Sequence, residues 1–273
     1  MLTHEGKDRS FRANAGLAMV LACVAGIVNA AGFFAVGTYT SHVTGNVSKV
    51  GDELAQGHTD LAVAAVGLVF SFIFGALAAS LFVEGAKRMG RARYAAALLT
   101  EAAILSAFTL VSAFLDSRPA WLDLLLTGSL CFSMGLQNAL VTRISGAVVR
   151  TTHLTGMATD IGIELAHLAF WLREEGRGRS WTWRLRLLFG VWKNPEFGKL
   201  MLHMAIFTSF AVGAVAGPLL YLRHGHLTML LPGFLILIMV IVDLILTLRS
   251  RESVPLVERP PVIEPAEART ESR

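Results

Sequence analysis

The chain has 273 residues, of which 54% are hydrophobic and only 16% charged, and its mean hydropathy is +0.57. A soluble domain carries about 25% charged residues, so this composition excludes an ordinary soluble enzyme, a disordered chain and a secreted disulfide scaffold. Cys23 and Cys131 both lie in apolar runs, which leaves no disulfide framework and no zinc site. The formal charge of +4 indicates membrane topology rather than nucleic-acid binding. We therefore expect an all-α polytopic membrane protein without a cofactor.

A transmembrane helix needs about 20 consecutive apolar residues. Six stretches meet that length, which predicts six transmembrane helices. The first apolar run is too long for the core of a signal peptide, so we expect it to be an uncleaved span. The six stretches are 15–37, 60–83, 94–115, 119–141, 200–222 and 226–248.

The basic residues predict the orientation of these spans. Of the 24 Lys and Arg residues, all but Lys49, Arg118 and Arg223 fall on one side of a six-span arrangement. The positive-inside rule makes that side cytoplasmic, together with both termini. The expected division of the chain is a cytoplasmic tail (1–14), a first membrane repeat (15–115), a second membrane repeat (116–249) and a disordered cytoplasmic tail (250–273).

An internal repeat is the strongest pattern in the sequence. SHVTGNVSKVGDELA (41–55) and THLTGMATDIGIELA (152–166) are identical at seven of fifteen positions. Because each half holds three spans, the second half should enter the membrane in the opposite direction, as in inverted-repeat transporters. Two further blocks match in the same order, GIVNA with GLQNA (26–30 and 135–139) and GALAA with GAVAG (75–79 and 213–217). The last pair of blocks has small-residue packing faces, which suggests that spans two and five touch near the axis.

The second half is longer and carries an insert at 171–198. Its segment 181–193 mixes Trp, Leu and Phe with Arg and Lys, which predicts an amphipathic helix on anionic lipid at the cytoplasmic leaflet. A regulatory or partner-binding role for this segment is the alternative.

The repeated His-x-Thr-Gly segments predict two amphipathic helices of about 14 residues, too short to span the membrane. Ser41 and Thr152 are the expected N-caps. Either the helices re-enter the membrane and their polar faces line a central path, or they lie at the surface and brace the bundle. His153, Asp160, Glu164 and His167 fall on one helical face, but the first copy lacks matching ligands, so we expect no metal site.

We expect the path to be lined by Asn29, His42, Thr44, Asn46, Glu53, Asn138, His153, Thr155, Asp160 and Glu164. Asn29 and Asn138 could instead serve only hydrogen bonds between helices. Glu101, an ionisable residue within the third span, is either a proton acceptor or a paired structural group. No nucleotide loop, nucleophile elbow or HExxH motif is present, so an enzyme is the less favoured reading.

The blocks GIVNA with SHVTGN, and GLQNA with RTTHLTG, resemble the YoaK-type family of uncharacterised bacterial inner-membrane proteins. The resemblance covers the chain from about 15 to 249. It implies six spans and an inner-membrane location, and it implies no established activity. The sequence as a whole favours a transporter or channel for an unknown small solute, with a homo-oligomer possible. The rivals are a membrane-embedded enzyme using the His153, Asp160 and Glu164 face, and a non-transporting scaffold or sensor.

Overall fold

The computed structural model describes residues 11–88, 94–115, 117–144, 152–178, 180, 190–191 and 195–252. All regular structure in these ranges is helical, which agrees with the all-α expectation. The helices are α1 (Phe11–Val36), α2 (Val43–Ala55), α3 (Thr59–Arg88), α4 (Ala95–Phe114), α5 (Ala120–Ile144), α6 (Leu154–Glu175), α7 (Pro195–His224), a 3-10 turn (Gly225–Met229) and α8 (Leu230–Glu252).

Five stretches of the described chain are long and apolar enough to cross a membrane. The last of them, Phe197–Val242, covers most of α7 and the first part of α8, which the 3-10 turn separates. Gly225 opens that turn at a φ of +56°, a conformation that glycine adopts at little cost. The apolar pattern predicts two separate spans in this region, at 200–222 and 226–248. The count of six crossings therefore stays a prediction. The other four stretches are Ala15–Val36, Thr59–Arg88, Ala95–Phe114 and Ala120–Arg143.

Glycines bring α3 and α5 into close contact. A Cβ built on Gly75 would collide with the backbone carbonyl of Phe132, and one built on Gly135 would collide with that of Phe72. Ser71 of α3 lies beside Gly128 of α5, and Glu84 is ion-paired with Arg143 further along both helices, so α3 and α5 run parallel. Small residues allow such backbone contact between membrane helices.

The same arrangement joins α1 to α7. A Cβ on Gly26 would collide with the carbonyl of Phe210, and Gly217 lies against Ile27 further along both helices. These helices are therefore also parallel. The expected contact between spans two and five is wrong: within the described chain α3 packs mainly on α5 and α7 on α1, with no extensive contact between α3 and α7. Each small-residue face instead packs against the first span of the other half, close to the repeat-related glycine of that span. The small side chains there allow the two backbones to come into contact.

The central pair, α1 and α5, runs antiparallel. Nε2 of Gln137 donates to the carbonyl of Leu21 over 2.9 Å, whereas Gly32, eleven residues later in α1, lies beside Leu130. Since α5 is parallel to α3, α1 and α3 point in opposite directions. The chain thus leaves α1 and enters α3 at the same end of the bundle, and α2 lies at that end. By the same reasoning α6 joins α5 to α7 at the opposite end.

The hydrophobic core surrounds α1 and α5. In the most hydrophobic 18-residue stretch of each helix, 56% of the residues of α1 and 61% of those of α5 are buried, against 22% in α3. Leu21, Val24, Val28, Leu130 and Met134 are fully enclosed there. The outer helices present leucine, valine and phenylalanine side chains on their exposed faces, as expected for helices whose surroundings are lipid.

Candidate functional site

In each half, the histidine of the His-x-Thr-Gly segment is the N-cap residue of the short helix. His42 precedes α2 and His153 precedes α6, and neither makes a side-chain capping hydrogen bond. The N-caps expected at Ser41 and Thr152 are therefore wrong by one residue. The imidazole of His42 lies over the first turn of α2, where a Cβ on Gly45 would collide with it, and His153 covers Gly156 in the same way. The glycine of the motif thus makes room for the histidine ring.

Asn29 explains why Ser41 is not the cap. Its Oδ1 accepts hydrogen bonds from both the backbone N–H and the Oγ–H of Ser41, each at 3.0 Å. These bonds fix the start of the repeated segment to α1. Asn138 occupies the matching place on α5, but its Oδ1 is buried and has no hydrogen-bond partner among the described residues. The two asparagines therefore differ in use, although their sequence blocks match.

The repeated glutamates both pair with histidines. Glu164 is buried, and its Oε1 and Oε2 lie 3.0 Å and 3.1 Å from Nδ1 of His203 on α7. Glu53 lies 3.0 Å from Nδ1 of His58, the residue before α3. The Glu164–His203 pair holds α6 against α7, since it joins two different helices in a partly buried position. The Glu53–His58 pair bridges the turn between α2 and α3 and is more exposed.

A cavity of about 350 Å³ lies beside the second His-x-Thr-Gly segment, between the C-terminal parts of α3 and α5. We call it the Arg143 cavity. Arg143 is also ion-paired with Glu84 of α3, with Nη1 to Oε1 at 2.9 Å. The cavity brings together two residues expected to line a path, Asn138 and His153. Its described lining residues are Ser80, Asn138, Ala139, Thr142, Arg143 and His153.

The other expected path residues are not gathered in this cavity. Asn46 is buried in α2. Of the four residues expected on one polar face of the second copy, Asp160, Glu164 and His167 lie within α6, Glu164 alone is buried, and His153 precedes the helix as its cap. In the described part of the chain, no three histidine, cysteine, aspartate or glutamate side chains lie close enough to hold a metal ion. The expected path residues that are exposed are His42, Thr44, His153, Thr155 and Asp160.

Glu101 lies in the hydrophobic core on α4. Its side chain is fully buried, and neither carboxyl oxygen has a hydrogen-bond partner among the described residues. Glu101 was expected to be either a proton acceptor or a paired structural group, and the contacts of the described residues do not support the paired group.

Sequence reasoning missed several residues of the site. His203 could have been found, because an ionisable residue within an apolar span is a candidate by default. Ser80 and the Glu84–Arg143 pair gave no local signal, since their meeting depends on the parallel packing of α3 and α5. The lipid-binding helix expected at 181–193 and the tail expected at 250–273 fall, for the most part, outside the described residues.

The fold defines the class of protein: a bundle of apolar helices whose exposed faces carry hydrophobic side chains, which is an integral, multi-pass membrane protein. Residues 17–242 match the family described as protein of unknown function (DUF1275), and the chain belongs to that family. YoaK is also a member, so the resemblance read from the His-x-Thr-Gly blocks is confirmed.

A relative of the chain is also described as a transmembrane protein. The chain is 27% identical over 208 residues to the UPF0700 transmembrane protein RA0705 of Rhizobium meliloti (strain 1021), covering 71% of this chain and 79% of the relative. No solved structure gives a significant match.

Proposed function

We propose that this protein is a transporter or channel for a small solute in the bacterial inner membrane, with a path between two inverted three-helix repeats. In this proposal six helices cross the membrane (α1, α3, α4, α5, α7 and α8), and both termini are cytoplasmic. The helices α2 and α6 lie at opposite membrane surfaces or dip into them.

The helix directions support the inverted arrangement. The first spans of the two halves, α1 and α5, are antiparallel, and each packs in parallel on the second span of the other half, α7 and α3 respectively. Gly26 and Gly213 form one crossing, and the repeat-related Gly135 and Gly75 form the other. Two matching interfaces of this kind are expected where a duplicated unit assembles with its inverted copy. The distribution of Lys and Arg independently supports cytoplasmic termini.

The observation that carries the proposal of a path is the Arg143 cavity. Asn138, on a central helix, and His153, at the start of α6, line the same polar opening at one end of the bundle. In inverted-repeat transporters, substrate sites lie where the two halves meet and use the ends of short helices. The cavity fits this description, because Ser80 comes from the first half and the other polar lining residues come from the second.

The rival proposals have less support. A membrane-embedded enzyme would use His153, Asp160 and Glu164 together, but Asp160 is exposed and Glu164 is engaged with His203. A scaffold or sensor would depend on the insert at 171–198, and most of that segment falls outside the described residues. Both rivals predict that the protein carries no solute flux.

The test is an osmotic-swelling assay on liposomes that contain the purified full-length protein. Light scattering would follow the entry of a panel of small neutral solutes and salts, so the solute need not be known beforehand. We expect at least one solute to enter faster than into protein-free liposomes. Flux should fall at least about tenfold when Asn138→Leu removes a polar path residue, and much less for Thr100→Ala, a half-buried polar residue of α4 away from the cavity. No protein-dependent flux for any solute, or flux equal in both variants, would contradict the proposal.

A further inference from the structure

We propose that the Arg143 cavity binds a small free oxyanion, a carboxylate or a phosphate. This inference rests on the proposed function, since it names the chemical class of the solute that enters the path at this end.

The size of the cavity limits the ligand. A volume of about 350 Å³ is near the lower end of the roughly 300–1,000 Å³ typical of small-molecule sites. The cavity is open at one side, so a solute from the adjoining aqueous phase can reach it. A small anion fits this space.

The charge of the lining favours an anion. Among the described lining residues Arg143 is the only one that is always charged, and the carboxylate of Glu84 is not part of the lining. A guanidinium group has five N–H donors in a planar fork, and the ion pair with Glu84 joins only Nη1 to Oε1. The remaining donors can bind a carboxylate or phosphate in the two-pronged geometry that arginine favours.

The neutral groups around Arg143 add further donors. Ser80 offers a hydroxyl, His153 a ring nitrogen, and Asn138 an amide whose buried Oδ1 has no partner among the described residues. A 180° rotation of that amide presents its NH₂ group instead, and the two orientations differ little in shape. His153 is also the N-cap of α6, so the cavity adjoins a helix N-terminus whose free N–H groups favour anions.

The repeat-related positions at the opposite end of the bundle do not carry three of the polar lining residues. In the alignment of the repeat blocks, Thr142 and Arg143 correspond to Phe33 and Phe34, and Ser80 corresponds to Pro218. The ring of Phe33 stacks on Tyr39 with centroids 4.6 Å apart. The hydroxyls of Ser80 and Thr142 and the guanidinium of Arg143 are therefore not a general result of the repeated fold.

The experiment measures ligand-induced thermal stabilisation of the full-length protein in neutral detergent. The probes are inorganic phosphate and acetate, with chloride at equal ionic strength as the reference. We expect either oxyanion to raise the Tm above the chloride reference. Arg143→Gln should weaken the apparent affinity at least about tenfold, and Arg143→Lys should weaken it less because the charge is kept without the fork.

The matched control is Arg118→Gln. Arg118 forms a comparable ion pair with Asp123, with Nε to Oδ1 at 2.9 Å, and is not among the described lining residues. Its removal should leave the affinity within about twofold of the wild type. Glu84→Gln keeps Arg143 and removes the competing carboxylate, so it should tighten binding by about threefold. This gain of affinity tests the proposal even if Arg143→Gln fails to fold.

Stabilisation by an oxyanion that disappears with Arg143→Gln and persists with Arg118→Gln would support the proposal. No stabilisation, or equal stabilisation of both variants, would overturn it. A parallel arm uses dihexanoylphosphatidylglycerol, and an Arg143-dependent effect of this lipid alone would identify a headgroup as the ligand and overturn the free-anion assignment. Oxyanion binding without flux contradicts only the proposed function, whereas flux of a neutral solute without oxyanion binding contradicts only this inference.

Discussion

Nδ1 of His203 lies 3.0 Å from Oε1 of Glu164, which makes this pair the polar link between α6 and α7. Only 9% of the Glu164 side chain and 14% of the His203 side chain are exposed. In the first half, the matching Glu53 bonds His58 at the start of α3. In both halves, the glutamate of the repeated segment thus contacts the segment that follows it, although the two histidines occupy different places.

Removal of the Glu164–His203 link should loosen α6. Glu164→Ala leaves the partly buried imidazole of His203 without its partner, and the expected loss is about 1–3 kcal/mol of unfolding free energy. Thermal unfolding in detergent and amide hydrogen exchange of α6 measure the effect. The matched control is Asp160→Ala, an exposed acidic residue four positions earlier on the same helix, which should change stability by less than about 0.5 kcal/mol. Equal losses for the two variants would show that the link does not anchor α6.

The glycine of the His-x-Thr-Gly motif should tolerate a methyl group only when the histidine ring is absent. Gly45→Ala places a Cβ on the imidazole of His42, so we expect it to destabilise the start of α2. In a His42→Ala background, the same change should be neutral or favourable by up to about 1 kcal/mol, since alanine is the better helix former. Gly51→Ala is the control, because its Cβ would enter open space. A double-mutant cycle on Tm measures the coupling, and additive effects would contradict the packing of ring on glycine.

The α3–α5 crossing should be sensitive to a single methyl group. Gly75→Ala would collide with the carbonyl of Phe132, so the helices must separate, at a cost of about 1–3 kcal/mol. On the same helix, Gly67→Ala meets nothing within 4 Å and should have no such cost. Comparison of the two Tm values is the measurement. If both variants unfold at the wild-type temperature, the two backbones do not touch at Gly75.

The repeat-related asparagines should respond differently to replacement. Asn29→Leu removes two hydrogen bonds to Ser41, and each typical hydrogen bond contributes about 1 kcal/mol, so stability should fall. Asn138→Leu removes an amide whose Oδ1 has no partner among the described residues, so it should cost less stability and chiefly impair the Arg143 cavity. Tm and ligand binding, measured on both variants, separate these effects. A larger loss of stability for Asn138→Leu than for Asn29→Leu would contradict a structural role for Asn29 and a ligand-binding role for Asn138.

Much of the fold follows from the sequence because the physical constraints are local. A run of about 20 apolar residues must form a helix in lipid, since every backbone group has to be satisfied within the segment. The helices accordingly begin and end within a few residues of the expected bounds, as α3 at 59–88 and α5 at 120–144 illustrate. The glycines of the repeated blocks also indicated close packing between helices, and they lie at both the α3–α5 and the α1–α7 crossing.

The site was less predictable because it depends on contacts between distant segments. Ser41 has the chemistry of an N-cap, but Asn29 of another helix competes for its hydroxyl, and His42 takes the cap position. Periodicity places His153 and Glu164 on one face, yet the helix begins after His153 and only Glu164 becomes buried. The meeting of Ser80 with Arg143 requires the parallel packing of α3 and α5, which no local pattern encodes.

The most direct test of the central claim, two halves of opposite orientation, is the accessibility of single cysteines in intact cells. Ser48 on α2 and Thr159 on α6 occupy matching places of the repeat, and both are exposed. In a background with Cys23 and Cys131 replaced by serine, each becomes the single cysteine and is treated with a membrane-impermeant thiol reagent. Ser117→Cys and Lys87→Cys, also exposed, calibrate the outer and the inner side.

We expect cysteine 48 to be labelled like position 117, whereas cysteine 159 should react only after the membrane is permeabilised, like position 87. Equal labelling of 48 and 159 in intact cells would place α2 and α6 on the same side. That result would contradict the inverted arrangement and, with it, the path between the two halves.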